Sequence, residues 1–338
     1  MKTIIETKNK VLTLGFVGLG WIGLNRMKCL IKNPDIQAKA IVEPDKKNAD
    51  RALEAAPSAV RYSSYEALLS DEEIDGIVIA TPSALHAEQS IQALNAGKAV
   101  FCQKPLGRTA AEVKAVMQAS KKNNRLLGVD LSYRFTTAFQ AIYKAIQNKE
   151  IGKIFSAELL FHNAYGPDKD WFYDPEKSGG GCVLDLGIHL ADLLLWSLDF
   201  PKVQKLQSNL FHQGRRITNP ENIAEDFAQI NFLTADNTAV NLQCSWNLSA
   251  GEDAVISARF YGTQGGLCFK NVNGSFYDFT AEIYHGTQTE VLVSPPDDWS
   301  GKAVETWAKA VADGKTYDKK TAQEHILLAE ILDKIYER

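Results

Sequence analysis

The chain has 338 residues, 45% of them hydrophobic and 23% charged, with a formal net charge of −4. That length points to two domains, and the apolar content is enough to fill their cores. Lysines scattered among acids form no basic stripe for nucleic acid or an anionic membrane, so neither is expected as a partner.

In chain order, residues 12–17 read as a buried strand, 21–31 as an amphipathic helix and 37–42 as a second strand, together one βαβ unit. Gly18, Gly20 and Gly23 lie between the first strand and the helix in the spacing G-x-G-x-x-G. There the chain turns sharply, and a pyrophosphate would rest on backbone N–H groups at the positive helix end, around Trp21 and Ile22. A Cβ at Gly18 or Gly20 would stand in its way. Glu43 ends the second strand 20 residues after Gly23, where a carboxylate accepts hydrogen bonds from the adenosine ribose. The plainer alternative is that Glu43 only opens the loop Glu43-Pro44-Asp45. A ribose-binding carboxylate favours NAD over NADP, whose 2′-phosphate it repels. Lys46 and Lys47 either blunt that preference or are solvated residues in a helix's first turn.

Strands at 74–80, 98–102 and 125–129 alternate with helices, one of which (84–95) closes at Gly97. The rhythm predicts an α/β Rossmann domain over residues 1–130, with a doubly wound parallel sheet. Beyond it come a helix (135–149), a strand (154–162), a Gly-rich loop with a helix (178–198), and period-2 runs at 228–233, 239–246 and 254–261. Residues 131–338 are therefore expected to form an α+β domain around a mostly antiparallel sheet, with turns such as Asn273-Gly274 and a terminal helix at 319–336 packing back on the body.

Residues 1–10 are polar and lack a signal-peptide core, and no apolar run approaches the roughly 18 residues of a membrane span, so a cytoplasmic protein is expected. Cys29, Cys102, Cys182, Cys244 and Cys268 form no CxxC pair. They read as reduced thiols, with no disulfide framework, structural zinc site or other metal centre expected.

Ligands of open α/β sheets bind beyond the carboxyl ends of the strands, and three such places carry candidate chemistry. Thr81-Pro82-Ser83 offers a stiff turn and a hydroxyl to a cofactor, with His86 one turn on, either facing the ligand or an ordinary surface histidine. Gln103-Lys104-Pro105 sets an ammonium at the cleft mouth, unless Lys104 is a solvated turn residue. In the run from Gly179 to His189, Asp185 and His189 are four apart, so on a helix they share a face. A carboxylate there can orient the imidazole and raise its basicity for general-base catalysis. Otherwise the two form a satisfied core pair, or His189 bonds Asp192. Tyr133, Arg134, His162, Trp171 and Tyr173 could line a polyol pocket. Alternatively the aromatics are core packing and Arg134 is a surface ion pair.

The glycine fingerprint, Thr81 to His86, Ala93 to Lys98, Lys104-Pro105 and the glycine run ending in Asp185-x-x-x-His189 resemble the glucose-fructose oxidoreductase/inositol dehydrogenase/MocA family (Gfo/Idh/MocA). The resemblance spans most of the first 200 residues in order. It implies an open sheet in the second domain that forms homodimer or homotetramer interfaces. It also implies NAD(P)-dependent oxidation or reduction of sugars, cyclitols and related small polyols. Lys104, Asp185 and His189 would be its catalytic trio, also touching substrate. One departure is Gln103, where the family usually has Glu; Gln keeps the size and loses the charge. Relatives that hydrolyse glycosides through transient oxidation on NAD, and non-catalytic dinucleotide-dependent regulators, are the alternative functions.

Overall fold

The computed structural model describes residues 11–220 and 222–338; the stretch 1–10, considered above for a signal core, lies outside the described residues. The first layer runs β1 (Leu12–Val17), α1 (Trp21–Leu30), β2 (Ile36–Val42), α2 (Lys46–Ala55), β3 (Val60–Arg61), α3 (Tyr65–Leu69), β4 (Gly76–Ile79), α4 (Ser83–Asn95), β5 (Ala99–Cys102), α5 (Ala110–Asn123) and β6 (Leu127–Val129). Its strands are parallel in the order β3-β2-β1-β4-β5-β6. Chain direction across the sheet reverses between β1 and β4, which opens a crevice at their carboxyl ends. β4 and β5 are buried along their whole length, as strands covered on both faces must be. The two-residue β3 carries too little pattern to be seen in the sequence.

The second layer contains α6 (Thr137–Gln147), β7 (Ile154–Asn163), α7 (Pro175–Ser178), α8 (Ile188–Ser197), β8 (Val203–His212), β9 (Arg215–Arg216), β10 (Phe227–Thr234), β11 (Ala239–Ser245), β12 (Ala254–Gly262), β13 (Gly266–Asn271), β14 (Phe279–His285) and β15 (Gln288–Val293). These strands make one nine-stranded sheet, β15-β14-β13-β12-β7-β11-β10-β8-β9. Only its β7–β11 pair is parallel. Burial alternates strictly along β10, the mark of a sheet with one covered face. The helix expected at 135–149 begins instead as a 3-10 turn, Ser132–Phe135, before the Thr136 side chain caps α6. By length and mean hydropathy alone the stretch Pro175–Ser197 would pass for a membrane span, but 94% of its most apolar 18 residues are buried inside the fold. Within it α8 is buried on all its faces, which suits a largely apolar helix enclosed in the core.

Two terminal helices join the layers. α9 (Lys302–Ala312), not among the elements expected from the sequence, lays Trp307 against β4 and β6. Gly76 and Gly128 leave the indole its space, since a Cβ at either would lie 3.0 or 2.8 Å from it. The ring also packs on Phe101, with centroids 5.7 Å apart. α10 (Lys319–Ile335) sets Ala322 and Ala329 into the first core and Leu328, Ile331, Leu332 and Ile335 into the second. Trp307→Ala should therefore cost about 3–5 kcal/mol of stability, measured by urea unfolding. A loss under about 1 kcal/mol would mean that α9 is not part of the first layer's core.

Candidate active site

The crevice opens into a cavity of about 1230 Å³ between the two sheets. Its floor is the glycine turn. Gly18 sits at φ +77°, and a Cβ there would meet Ala80 O at 2.6 Å; a Cβ at Gly23 would lie 2.0 Å from Gly18 O. Gly23 thus serves helix–strand packing and does not line the cavity. A Cβ at Gly20 would touch nothing within 4 Å of protein, so the space it leaves belongs to the cavity. Gly18, Gly20, Trp21 and Ile22 line that space. The first turn of α1 carries no acid, which leaves its positive end open to an anion. These residues fit a bound dinucleotide.

Glu43 is buried at the cavity edge, where its Oε2 accepts from Leu19 N and its Oε1 from Asp45 N at 2.9 Å. The carboxylate therefore also shapes the glycine turn, and its remaining lone pairs are free for a ligand. Thr81, Pro82 and Ser83 line the cavity beyond β4. His86 does not offer its ring nitrogens to a cofactor. Nδ1 and Nε2 each lie 2.7 Å from a backbone carbonyl, those of Pro105 and Thr81. Burial lowers its pKa, and the ring serves as a brace between the Thr81 and Lys104-Pro105 loops.

Lys104, Asp185 and His189 do meet at the cavity, although not in the expected pairing. Lys104 Nζ donates to the carbonyl oxygen of Asp185 at 2.5 Å and to its Oδ1 at 2.6 Å. Trp246 Nε1 donates to Oδ2 at 3.0 Å. The carboxylate is thus held by two donors from distant elements and does not orient His189. Asp192, the other suggested partner, is bound by Arg134. His189 Nδ1 is buried with no partner, and the ring meets Tyr133 edge-on at 4.8 Å. Burial first, then the charges of Lys104 and Arg26, hold the imidazole well below the usual 6.5. It is neutral at physiological pH. A single wide π-turn, Val183–Gly187, carries Asp185 into the cavity. This turn is anchored by Glu225, whose fully buried carboxylate accepts from Gly181 N at 2.9 Å, Val183 N at 2.8 Å and the Tyr336 hydroxyl at 2.8 Å.

Of the residues considered for the substrate, Tyr133 and Trp171 line the cavity, the latter stacked on Phe172 at 3.8 Å. Three others point elsewhere. Arg134 clamps Asp192 through two nitrogens at 2.5 and 2.7 Å and lies over Trp196. It is a buried ion pair behind the site. His162 bonds Ser245 Oγ at 2.8 Å and stacks on Phe227, and Tyr173 donates to Pro167 O at 3.0 Å while its ring meets Trp246. Trp246, Trp299, Glu225, Arg26 and Asp130 also shape the site, with no role expected of them from the sequence. Only Asp130 had a usable signal, standing directly after a strand like Thr81 and Lys104. Gln103 lines the cavity and donates through Nε2 to Asp130 Oδ2.

A glycine turn and a paired lysine and neutral histidine facing one cavity define the class as a Rossmann-type dinucleotide-dependent enzyme. Residues 12–131 match the oxidoreductase family with an NAD-binding Rossmann fold, and residues 139–268 match the GFO/IDH/MocA C-terminal domain. The chain belongs to the Gfo/Idh/MocA family of NAD(P)-binding oxidoreductases. It is 33% identical over 139 residues to 1,5-anhydro-D-fructose reductase of Ensifer adhaerens, a match spanning 40% of this chain and 41% of that protein. It is 23% identical to D-glucoside 3-dehydrogenase of Escherichia coli (strain K12) over 76% of this chain and 74% of the relative. The fold matches KijD10, a 3-ketoreductase from Actinomadura kijaniata solved with NADP and TDP-benzene, at TM-score 0.83 and 20% identity, covering 96% of this chain and 97% of that one.

Because Arg134 neutralises a buried carboxylate, Arg134→Met should cost about 3–5 kcal/mol of stability through the unpaired Asp192. NADH affinity should stay within about twofold under conditions where the variant is folded, as read by isothermal titration calorimetry. A selective loss of ligand affinity with stability intact would return Arg134 to the site.

Proposed function

We propose that the chain transfers a hydride between NAD(P) and a carbinol or keto carbon of a sugar, cyclitol or related polyol. The observation that carries this reading is the neutral, unpartnered His189 beside the Lys104 ammonium, in the same cavity as the open glycine turn. Bound nicotinamide would supply the two-electron acceptor or donor, with the glycine turn, Glu43, Thr81 to Ser83 and Gln103 holding the dinucleotide. In the oxidative direction a ring nitrogen of His189 accepts the substrate's hydroxyl proton. Lys104 Nζ stabilises the negative charge that develops on that oxygen. Asp185 orients Lys104, a change from the role expected of it, and Trp246 orients Asp185. The same groups return the proton in reduction. Tyr133, Trp171, Phe172 and Trp299 supply apolar walls that limit water and can face the C–H surfaces of a sugar ring.

Relatives support the substrate class, since 1,5-anhydro-D-fructose reductase and D-glucoside 3-dehydrogenase are named for sugar substrates. Glu43 supports NAD over NADP, because a carboxylate at the end of β2 repels a 2′-phosphate. Screening sugars, cyclitols and their keto forms with NAD and NADP, by nicotinamide absorbance, tests the reading. No turnover across the panel despite NADH binding would sink it.

With a substrate in hand, His189→Ala should lower kcat by about 10²–10⁴-fold with the Kd for NADH unchanged. Unaltered turnover would remove His189 from the chemistry. The pH dependence has a definite sign. Folding favours the neutral imidazole, so this group contributes stability above the unfolded value of 6.5, and that contribution is lost as pH falls toward the depressed folded value. The acid limb of kcat/KM for oxidation should accordingly lie below 6.5. A limb at or above it would contradict a buried, neutral base.

A further inference from the structure

The cavity holds little positive charge that a substrate could use. Among the described residues three cations line it: Arg26, Lys104 and Lys169. Arg26 Nε donates to Asp130 at 2.6 Å and Lys104 Nζ to Asp185 at 2.6 Å, in pairs that are mostly enclosed. Lys169 pairs with Asp168 at 2.9 Å, where both side chains are largely exposed and water screens the charge. His189 adds none, since burial holds its imidazole well below the usual 6.5.

Negative charge is in excess. Asp278, Asp297 and Asp298 line the cavity from the second layer. Lys302 Nζ offsets Asp297 at 2.6 Å, while Asp278 Oδ2 accepts from the Ser275 hydroxyl, a neutral donor, at 2.9 Å. Asp298 is exposed. A dinucleotide on the glycine turn brings its own pyrophosphate, which adds further negative charge to the same cavity. A phosphate or carboxylate on the substrate would therefore give up its water here without gaining a counter-ion, and would face like charges. Hydroxyl groups carry no such penalty. Trp171, Phe172, Tyr277 and Trp299 also line the cavity, and their apolar rings suit the C–H faces of an uncharged ring.

We propose that the polyol taken by this site is uncharged: a free sugar, glycoside or cyclitol carrying no phosphate, nucleotide or carboxylate. The inference rests on the oxidoreductase reading above and narrows its substrate class by charge. Lys104 has a reason to be kept from such groups. Its ammonium is reserved for the oxygen that becomes negative during hydride transfer, and a permanently anionic substituent would compete for it.

The test compares matched compounds on the wild type with NAD and NADP, read by nicotinamide absorbance. The sets are methyl D-glucoside against methyl D-glucuronide, myo-inositol against its monophosphate, and D-glucose against its phosphate monoester and UDP-glucose. In each set whose neutral member reacts, kcat/KM should be at least about tenfold lower for the anionic member. An anionic member turned over as well as its neutral partner, or better, overturns the inference and leaves the oxidoreductase reading standing. If no compound reacts although NADH binds by calorimetry, both fall. Asp298→Lys separates charge from shape, with folding followed by circular dichroism. The added cation should narrow the gap between neutral and anionic members by about threefold or more. An unchanged gap in the folded variant would assign the exclusion to shape and overturn the inference. If Asp298→Lys does not fold, Asp298→Asn is read in the same way.

Discussion

The contact between Lys104 and Asp185 joins the two halves of the molecule at the point where its chemistry would occur. The lysine follows β5 of the parallel sheet, and the aspartate rides the π-turn of the second layer 81 residues later. Both side chains are mostly enclosed, at 19% and 16% exposed. In such surroundings attraction and desolvation largely offset each other, so the pair matters more for position than for stability. Trp246 takes the remaining carboxylate oxygen, which leaves Lys104 aimed into the cavity and Asp185 fully engaged. His189 is consequently set by burial and by a neighbouring cation, not by a carboxylate. The site thus sets a lysine paired with a carboxylate beside a buried imidazole whose Nδ1 has no partner.

Much of the remaining structure keeps that contact in place. α10 packs on both cores, and Tyr336 at its end reaches Glu225, which binds the backbone under the π-turn. Glu225 is wholly buried, and burial pushes its carboxyl upward; it is tolerated there because backbone N–H groups and a hydroxyl satisfy it. On the other side Arg26, Asp130 and Gln103 tie α1 to the ends of β5 and β6. The floor and wall of the cleft are thus braced by polar groups, each at a place where an unpaired charge would be expensive.

Short-range physics was legible in the residues. The glycine spacing, the apolar runs and the capping side chains each depend on a few neighbouring positions, so the parallel sheet, the strand-rich second half and the places of Lys104, Asp185 and His189 could be read along the chain. Partner choice could not. Asp185 and His189 are four residues apart and still do not bond, because Lys104 and Trp246 compete successfully for the carboxylate. Arg134 looked like a donor for a polyol, and Asp192, buried in the neighbouring helix, claims it. His86 looked like a ligand and instead braces two loops.

The sequence by itself determined that a strand must turn into a helix without side chains at its bend, and that a carboxylate, a lysine and a histidine would follow strand ends and a glycine-rich loop. These are consequences of backbone sterics and of periodic burial. Only the tertiary structure decided which donor meets which acceptor, that Trp307 from the far end of the chain fills the first sheet's face, and that one oxygen of Asp130 is enclosed without a donor. Hydrogen bonds and ion pairs are won by whichever group folding brings closest, and that competition is settled across distances in the chain that no local pattern records.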